Sequence, residues 1–258
     1  MSKTNNDRLR EELITDFLSG RKERLRRSNT LVFIPVHNEE DTIAEVVQAI
    51  RDACDYDILI IDDASTDTTP EIISGLDAEI LTHKEILNSR IINGLEIGNI
   101  SEYRYLIKID GDGQHNASDI LRLREYADTN DMDLVIGSRH LNGFKANICS
   151  IKGAGMWFCS ALVSVLGRQR ITDSTSGIKI WSRRASELAV KSYKRGKLQE
   201  GSTFHIEELI IAAKHGLRIA EIDIIINPRQ YGESKSFSTA NLIKFPFNLL
   251  KTTFRAIF

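Results

Sequence analysis

Cysteine is scarce in this chain, and the little there is does not pair. Cys54, Cys149 and Cys159 are odd in number and widely spaced, with no Cys-x-x-Cys among them. A disulfide framework and a zinc site are both disfavoured, and a reducing compartment is expected. Long apolar runs are missing as well. The longest, from Met156 to Leu166, is well short of the ~20 residues a membrane-spanning helix needs. The opening residues are polar and charged, unlike a secretory leader. A net charge of only −2 offers no whole-molecule attraction for nucleic acid or an anionic bilayer. No repeat or low-complexity linker interrupts the 258 residues, enough for one large domain with a substantial core. No G-x-G-x-x-G follows the first apolar run, which disfavours a dinucleotide dehydrogenase. The expected location is cytoplasmic, with the cytoplasmic face of a membrane left open.

What charge there is lies unevenly. Arg21, Lys22, Arg24, Arg26 and Arg27 cluster early, and beyond Pro228 five basic residues face Glu233 alone. Such basic ends suit a phosphate-rich surface or ligand. Residues 7–27 carry Leu9, Leu13 and Phe17 at every fourth position, so a helix is expected there with Gly20 as a stop. Then strand-like runs alternate with helical stretches. LVFIPVH (31–37), DILIIDD (57–63), EILTH (79–83), YRYLIKID (103–110) and DLVIGSR (133–139) read as strands. Helices are expected at the stripe Ile43, Val46, Val47, Ile50, after Pro70, and around 90–97 and 119–127. This alternation predicts an α/β fold with a mostly parallel central sheet. Farther on, 141–156 reads as loop, 157–166 as helix, 173–182 as turn then strand, 205–215 as helix and 217–226 as strand. The tail 241–258 is basic and amphipathic: an interfacial membrane segment, or a helix packed on the core or at a homodimer interface. The expected organisation is a helical extension over 1–28, a main domain over 29–236 and a C-terminal segment over 237–258.

Polar residues gather where the strands end: His37-Asn38-Glu39, Asp62-Asp63 and Asp110-Gly111-Asp112. In open α/β sheets, ligands bind outside the carboxyl ends of the strands. IIDDASTDTT (60–69) taken alone is equally a capped loop, since Asp, Ser and Thr favour turns and helix starts. In KIDGDGQH (108–115), the i, i+2 spacing of Asp110 and Asp112, with Gly111 and Gly113 allowing a tight bend, suits two carboxylates turned towards one divalent cation. His115 is read as packing or hydrogen-bonding the loop rather than as a ligand.

IPVHNEEDTIAEVV, IIDDASTDTT, KIDGDGQH, GSR (137–139), DSTSGIK (173–179) and RQYGESK (229–235) occur in the order seen in family 2 glycosyltransferases of the GT-A fold. The set most resembles the polyprenyl-phosphate glycosyltransferases, the group of dolichol-phosphate mannose synthase. The resemblance implies a GT-A, Rossmann-like domain that moves a sugar with inversion from a UDP- or GDP-sugar to a polyprenyl phosphate. It implies that Asp112 and Gln114 contact Mg²⁺ or Mn²⁺, with Asp110 on the nucleotide side next to Gly111. It implies that Pro35, His37 and Glu39 line the base and ribose pocket, and that Asp63 contacts the base beside the backbone of Ile61. His37 stands where many relatives carry tyrosine, which blurs the base. Arg139, Arg229 and Lys235 match positive residues around the diphosphate and acceptor phosphate, and Ser234 adds a donor. Asp173, with Ser176-Gly177, matches the border of the sugar and acceptor site. Glu207 or Glu208 would serve as base if the acceptor were a hydroxyl on a glycan, whereas a phosphate needs none. A non-catalytic nucleotide-binding protein is the remaining alternative.

Overall fold

The computed structural model describes residues 5–20, 27–85, 87, 89–143, 151–201 and 203–228. Arg229, Ser234, Lys235 and the segment 237–258 lie outside the described residues. The strand-like runs become β1 (Thr30–Val36), β2 (Asp57–Asp62), β3 (Glu79–Thr82), β4 (Tyr105–Lys108), β5 (Leu134–Ser138), β6 (Lys179–Ser182) and β7 (Ile219–Asp223). Between them run α2 (Ile43–Ala53), α3 (Thr69–Ser74), α4 (Arg90–Ile100), α5 (Ser118–Thr129), α6 (Ile151–Gly167), α7 (Arg183–Lys194) and α8 (Phe204–Lys214), while α1 (Asn5–Gly20) precedes the first strand. The stripe read from α2 is the face it buries: Ile43, Val46, Val47 and Ile50.

The strands form one seven-stranded sheet in the order β3-β2-β1-β4-β6-β5-β7. β6 runs antiparallel to both β4 and β5, and the other pairs are parallel. Alternate residues of each strand point to opposite faces, and both faces are covered. Phe33, Leu59, Ile61, Leu106 and Trp181 join one core with side chains of α4, α7 and α8. Val32, Ile34, Ile58, Ile60 and Ile180 join a second core with α2 and α5. Each such side chain, fully enclosed, contributes about 1.5–3 kcal/mol over an exposed one. Helix α4 lies close on its sheet face: a Cβ on Gly94 would stand 2.4 Å from the Phe33 ring.

Two elements differ from the sequence reading. Helix α6 begins at Ile151 rather than Trp157. Gly153 and Gly155 lower helix propensity there, but Met156, Cys159 and Val163 bury on the core and outweigh it. Helix α7 was not anticipated. Its buried stripe is Ala185, Ser186, Ala189, Val190 and Ser192, too small and polar to stand out, and Ser182 caps it by accepting from the Ala185 amide. Among the described residues no helix is long and apolar enough to cross a membrane.

The topology opens the site. The chain moves outward from β1 to β2 and β3, then returns to place β4 on the other side of β1. Connections leaving adjacent strands in opposite directions open a crevice at their carboxyl ends. Because β6 is antiparallel, the 173–178 loop that enters it reaches the same edge.

Candidate active site

The loops leaving β1 and β2 are laced together. Ser65 Oγ accepts from the Asn38 amide at 2.9 Å, Asn38 Oδ1 from the Thr66 amide at 2.8 Å, and Glu40 from the Thr68 amide at 2.9 Å. Asn38 and Ala64 hold positive φ values of 56° and 58° at these strand exits. The capped-loop reading of 60–69 is therefore correct for Asp62, which accepts from the Ser65 amide, and for Asp67, which accepts from the Thr69 amide. Pro35 and Ile61 face each other in register on β1 and β2. His37, half-buried, donates from Nδ1 to the Asp63 carbonyl at 2.9 Å, and the Glu39 amide donates to Thr69 Oγ1.

Asp63 itself is buried. Its Oδ1 meets His83 Nδ1 at 2.6 Å and the Leu87 amide at 3.1 Å, and its Oδ2 lies 3.5 Å from Arg90 Nε. Burial opposes its charge, but His83 and Arg90 prevail and hold the carboxyl below its usual range. Glu200 enters from the far side of the chain and accepts from the Ile91 and Ile92 amides at the start of α4. Burial pushes its carboxyl up to about 7.

Beyond β4 the arrangement changes. Asp110 is half-buried, with Oδ1 2.5 Å from Lys108 Nζ. Burial again opposes the charge, and Lys108 outweighs it, so Asp110 stays ionised. Lys108 is fixed by donating to the Gly177 carbonyl at 3.0 Å. Thr42 Oγ1 donates to the Gly111 carbonyl at 2.7 Å, and Gly113 makes the bend with φ +72°. Asp112 Oδ1 accepts from the Gln114 amide at 3.2 Å. The loop is tied to the chain after β7: the Asn227 amide donates to the Gln114 carbonyl, and Gln114 Nε2 donates to the Asn227 carbonyl. Gly177 closes the other wall. A Cβ there would lie 2.0 Å from Asp110 Oδ2 and 2.6 Å from His115 Nε2, so any other residue would displace both side chains. Burial pulls the His115 imidazole down despite Asp110, which favours its neutral form.

This donor set suits a hard divalent cation. Asp110 and Asp112 offer carboxylate oxygens, and Gln114, donating through its nitrogen, keeps its amide oxygen available. Among the described residues no three His, Cys, Asp or Glu side chains converge as a complete cage. An ion of the Mg²⁺ class is commonly held by one or two carboxylates, with substrate phosphates completing its shell.

Arg139 and Asp173 are brought together, facing each other rather than open space. Arg139 donates to Asp173 from Nε at 2.6 Å and from a terminal nitrogen at 2.7 Å, with its backbone amide at 3.1 Å. Burial opposes both charges, but the pair keeps Asp173 low and Arg139 high. Ser176, fully buried, donates to the Gly137 carbonyl at 2.6 Å and so ties this loop to β5.

Glu207 and Glu208 are both buried. Glu207 accepts from the Gln199 amide and Thr203 Oγ1, each at 3.0 Å. Glu208 accepts from the Trp181 indole and lies 3.7 Å from Lys179 Nζ. Burial pulls Lys179 down to about 8 despite that neighbour.

Several supporting residues escaped the sequence reading. His83 and Arg90 contact Asp63, Asn93 backs His83, Glu200 accepts from the first amides of α4, and Glu221 accepts from the Thr172 and Asp173 amides. The available signals were His83 at the end of its strand run and Glu221 inside β7; the others sit on α4 and in a loop without a pattern.

Known proteins match this chain along its length. The family model described as Glycosyl transferase family 2 matches residues 31–154. The chain is 32% identical to an undecaprenyl-phosphate mannosyltransferase of Micrococcus luteus, over 80% of this chain and 86% of that protein. It is 27% identical to a UDP-N-acetylglucosamine–dolichyl-phosphate N-acetylglucosaminyltransferase of Methanococcus voltae, over 85% of this chain and 94% of the relative. In structure it resembles glucosyl-3-phosphoglycerate synthase from Mycobacterium tuberculosis, crystallised with Mn²⁺, UDP and glucosyl-3-phosphoglycerate. The TM-score is 0.64 at 17% identity, covering 99% of this chain and 85% of that one, which shows a shared GT-A fold. Identity of this degree over most of both sequences makes the protein a member of glycosyl transferase family 2, and so a glycosyltransferase.

Proposed function

We propose that the protein transfers a sugar, with inversion, from a nucleoside diphosphate sugar to a polyprenyl phosphate, aided by Mg²⁺ or Mn²⁺. The observation that carries this reading is the Asp110–Gln114 loop, which presents ionised and amide oxygens beside the Lys108–Gly177 wall at the switch-point crevice. The names of the Micrococcus and Methanococcus relatives both specify a lipid phosphate acceptor, which supports the same class here.

In the reaction, an acceptor phosphate oxygen bonds to the anomeric carbon as the bond from that carbon to the diphosphate breaks. The electron pair leaves with the nucleoside diphosphate. Asp112, Gln114 and Asp110 would hold a divalent cation, which would supply charge neutralisation for that leaving group. Pro35, His37, Glu39, Ile61 and Asp63 form the nucleoside side. The Arg139–Asp173 pair braces the sugar side, and Arg229, Lys235 and Ser234 are assigned to the acceptor phosphate by their motif. The acceptor is already an anion, so no base is required, and the burial of Glu207 and Glu208 favours a phosphate over a hydroxyl acceptor. An acceptor with a lipid tail would bring the protein to a membrane face, and the segment 237–258 is assigned to that contact.

The test is transfer of labelled sugar from UDP- and GDP-sugars to undecaprenyl phosphate, against the free polyprenol and a soluble glycan, with Mn²⁺ or EDTA. Transfer to the phosphate alone, lost in EDTA and crippled by Arg229→Ala or Lys235→Ala more than by Glu207→Ala, is expected. Transfer to a hydroxyl with the reverse ranking would overturn the acceptor assignment.

A further inference from the structure

Arg10 of α1 is 1% exposed, a rare place for an arginine. Its guanidinium pairs with Glu96 of α4, lies 3.4 Å from Asn93 Oδ1 and stacks 5.2 Å over the Tyr193 ring. A guanidinium can only donate. Asn93 Oδ1 must therefore accept, and the amide nitrogen turns the other way, 2.8 Å from His83 Nε2. Donation into Nε2 leaves the imidazole proton on Nδ1, which faces Asp63 Oδ1 at 2.6 Å. Every link from α1 to the carboxylate thus has one polarity, matched at both ends by a guanidinium that cannot accept and an ionised carboxylate that cannot donate.

We propose that Arg10, Asn93 and His83 are positioning residues for the nucleoside site. Through them α1, outside the family's matched segment, holds the His83 ring, and with it Asp63, in one orientation, and so sharpens discrimination between bases. This rests on the reading of Asp63 as the acid that contacts the base. None of the three need touch the reacting atoms; their effect reaches the donor through Asp63.

The experiment uses the full chain with Mn²⁺ and measures Kd for UDP, GDP and inorganic pyrophosphate. Arg10→Met and Asn93→Leu are each expected to weaken the preferred nucleoside diphosphate about tenfold, as loss of one buried hydrogen bond would. The ratio of UDP to GDP affinity should shrink by a similar factor, with pyrophosphate binding unchanged. Arg10→Met should raise KM for the donor while kcat at saturation holds. Arg10→Lys, which keeps a pure donor, should restore the ratio. Nitrogen-15 NMR of the unmodified protein supplies a readout that needs no variant: His83 must carry its proton on Nδ1 with Nε2 accepting from Asn93, and Asn93→Leu must shift the Nε2 resonance. A wild-type Nε2–H form, or folded variants with an unaltered UDP-to-GDP ratio, overturns the proposal while leaving the sugar-nucleotide reading intact. Wild-type protein that binds no nucleoside diphosphate overturns that reading and the proposal together.

Discussion

Asp63 and Asp110 are the same residue type at equivalent places, just past the ends of β2 and β4, the strands flanking β1. Their surroundings are opposite. Asp63 is buried, and both its oxygens are engaged by His83, the Leu87 amide and Arg90. Asp110 is half-buried, and among the described residues its Oδ2 meets no donor where it borders Gly177 beside His115. The β2 side is thus a finished wall that shapes a pocket. The β4 side keeps lone pairs in reserve, which is what a cation site requires. Position at a strand end marks a residue as near the ligand; only its remaining hydrogen-bonding capacity separates support from contact.

The strongest way to break this contrast is to remove a group on the open side. Asp112→Ala should lower kcat/KM by about 10³-fold or more, the scale seen when a principal electrostatic group is lost. Denaturant midpoints should hardly move, because a half-exposed loop carboxylate contributes within about 0.5 kcal/mol. Normal turnover with metal present would reassign the open side. Gly177→Ala comes next. The new Cβ collides with Asp110 Oδ2 and His115 Nε2, and the resulting shift of about an ångström should cost about 10²-fold in kcat. Overpacking should cost about 1–3 kcal/mol of stability, read from urea unfolding.

A bracing residue should behave the other way. Asp173→Ala leaves Arg139 without its partner and should destabilise by about 3 kcal/mol, with a clear fall in melting temperature. A variant as stable as the parent would show that the pair is dispensable bracing.

The smallest effect concerns Glu200. Its folded-state carboxyl is pushed by burial to about 7, above its ordinary value of 4.5. Between those values the folded state binds more protons than the unfolded chain, so stability falls as pH rises. The contribution is fully present below about 4.5 and lost as pH rises through about 7. Glu200→Gln should flatten the difference in unfolding midpoint between mildly acidic and mildly alkaline buffer. An unchanged difference would assign that slope to other groups.

Much of this was legible in advance. Strand runs of Val, Ile and Leu can be buried on both faces only in a covered sheet, so β1, β2, β4 and β5 were readable to within a residue or two. The acid-tipped ends and the DGDG bend were equally plain as positions, although two of the acids, Asp62 and Asp67, cap their own loop. Helix α7 was missed because its stripe is built of alanine and serine, and the start of α6 because glycine hides a helix that packing stabilises. Glu207 and Glu208 looked available as bases in one dimension; folding buries both.

The alternation of elements, the crevice edge and the residue types that reach it follow from local periodicity and from what each side chain can do. Which acids remain open was decided only by tertiary structure. Arg10, His83 and Glu200 lie far apart from one another along the chain, and Arg139 is 34 residues from Asp173. Whether a carboxylate meets a partner or waits for a ligand depends on which distant donors the packed fold brings within hydrogen-bonding distance.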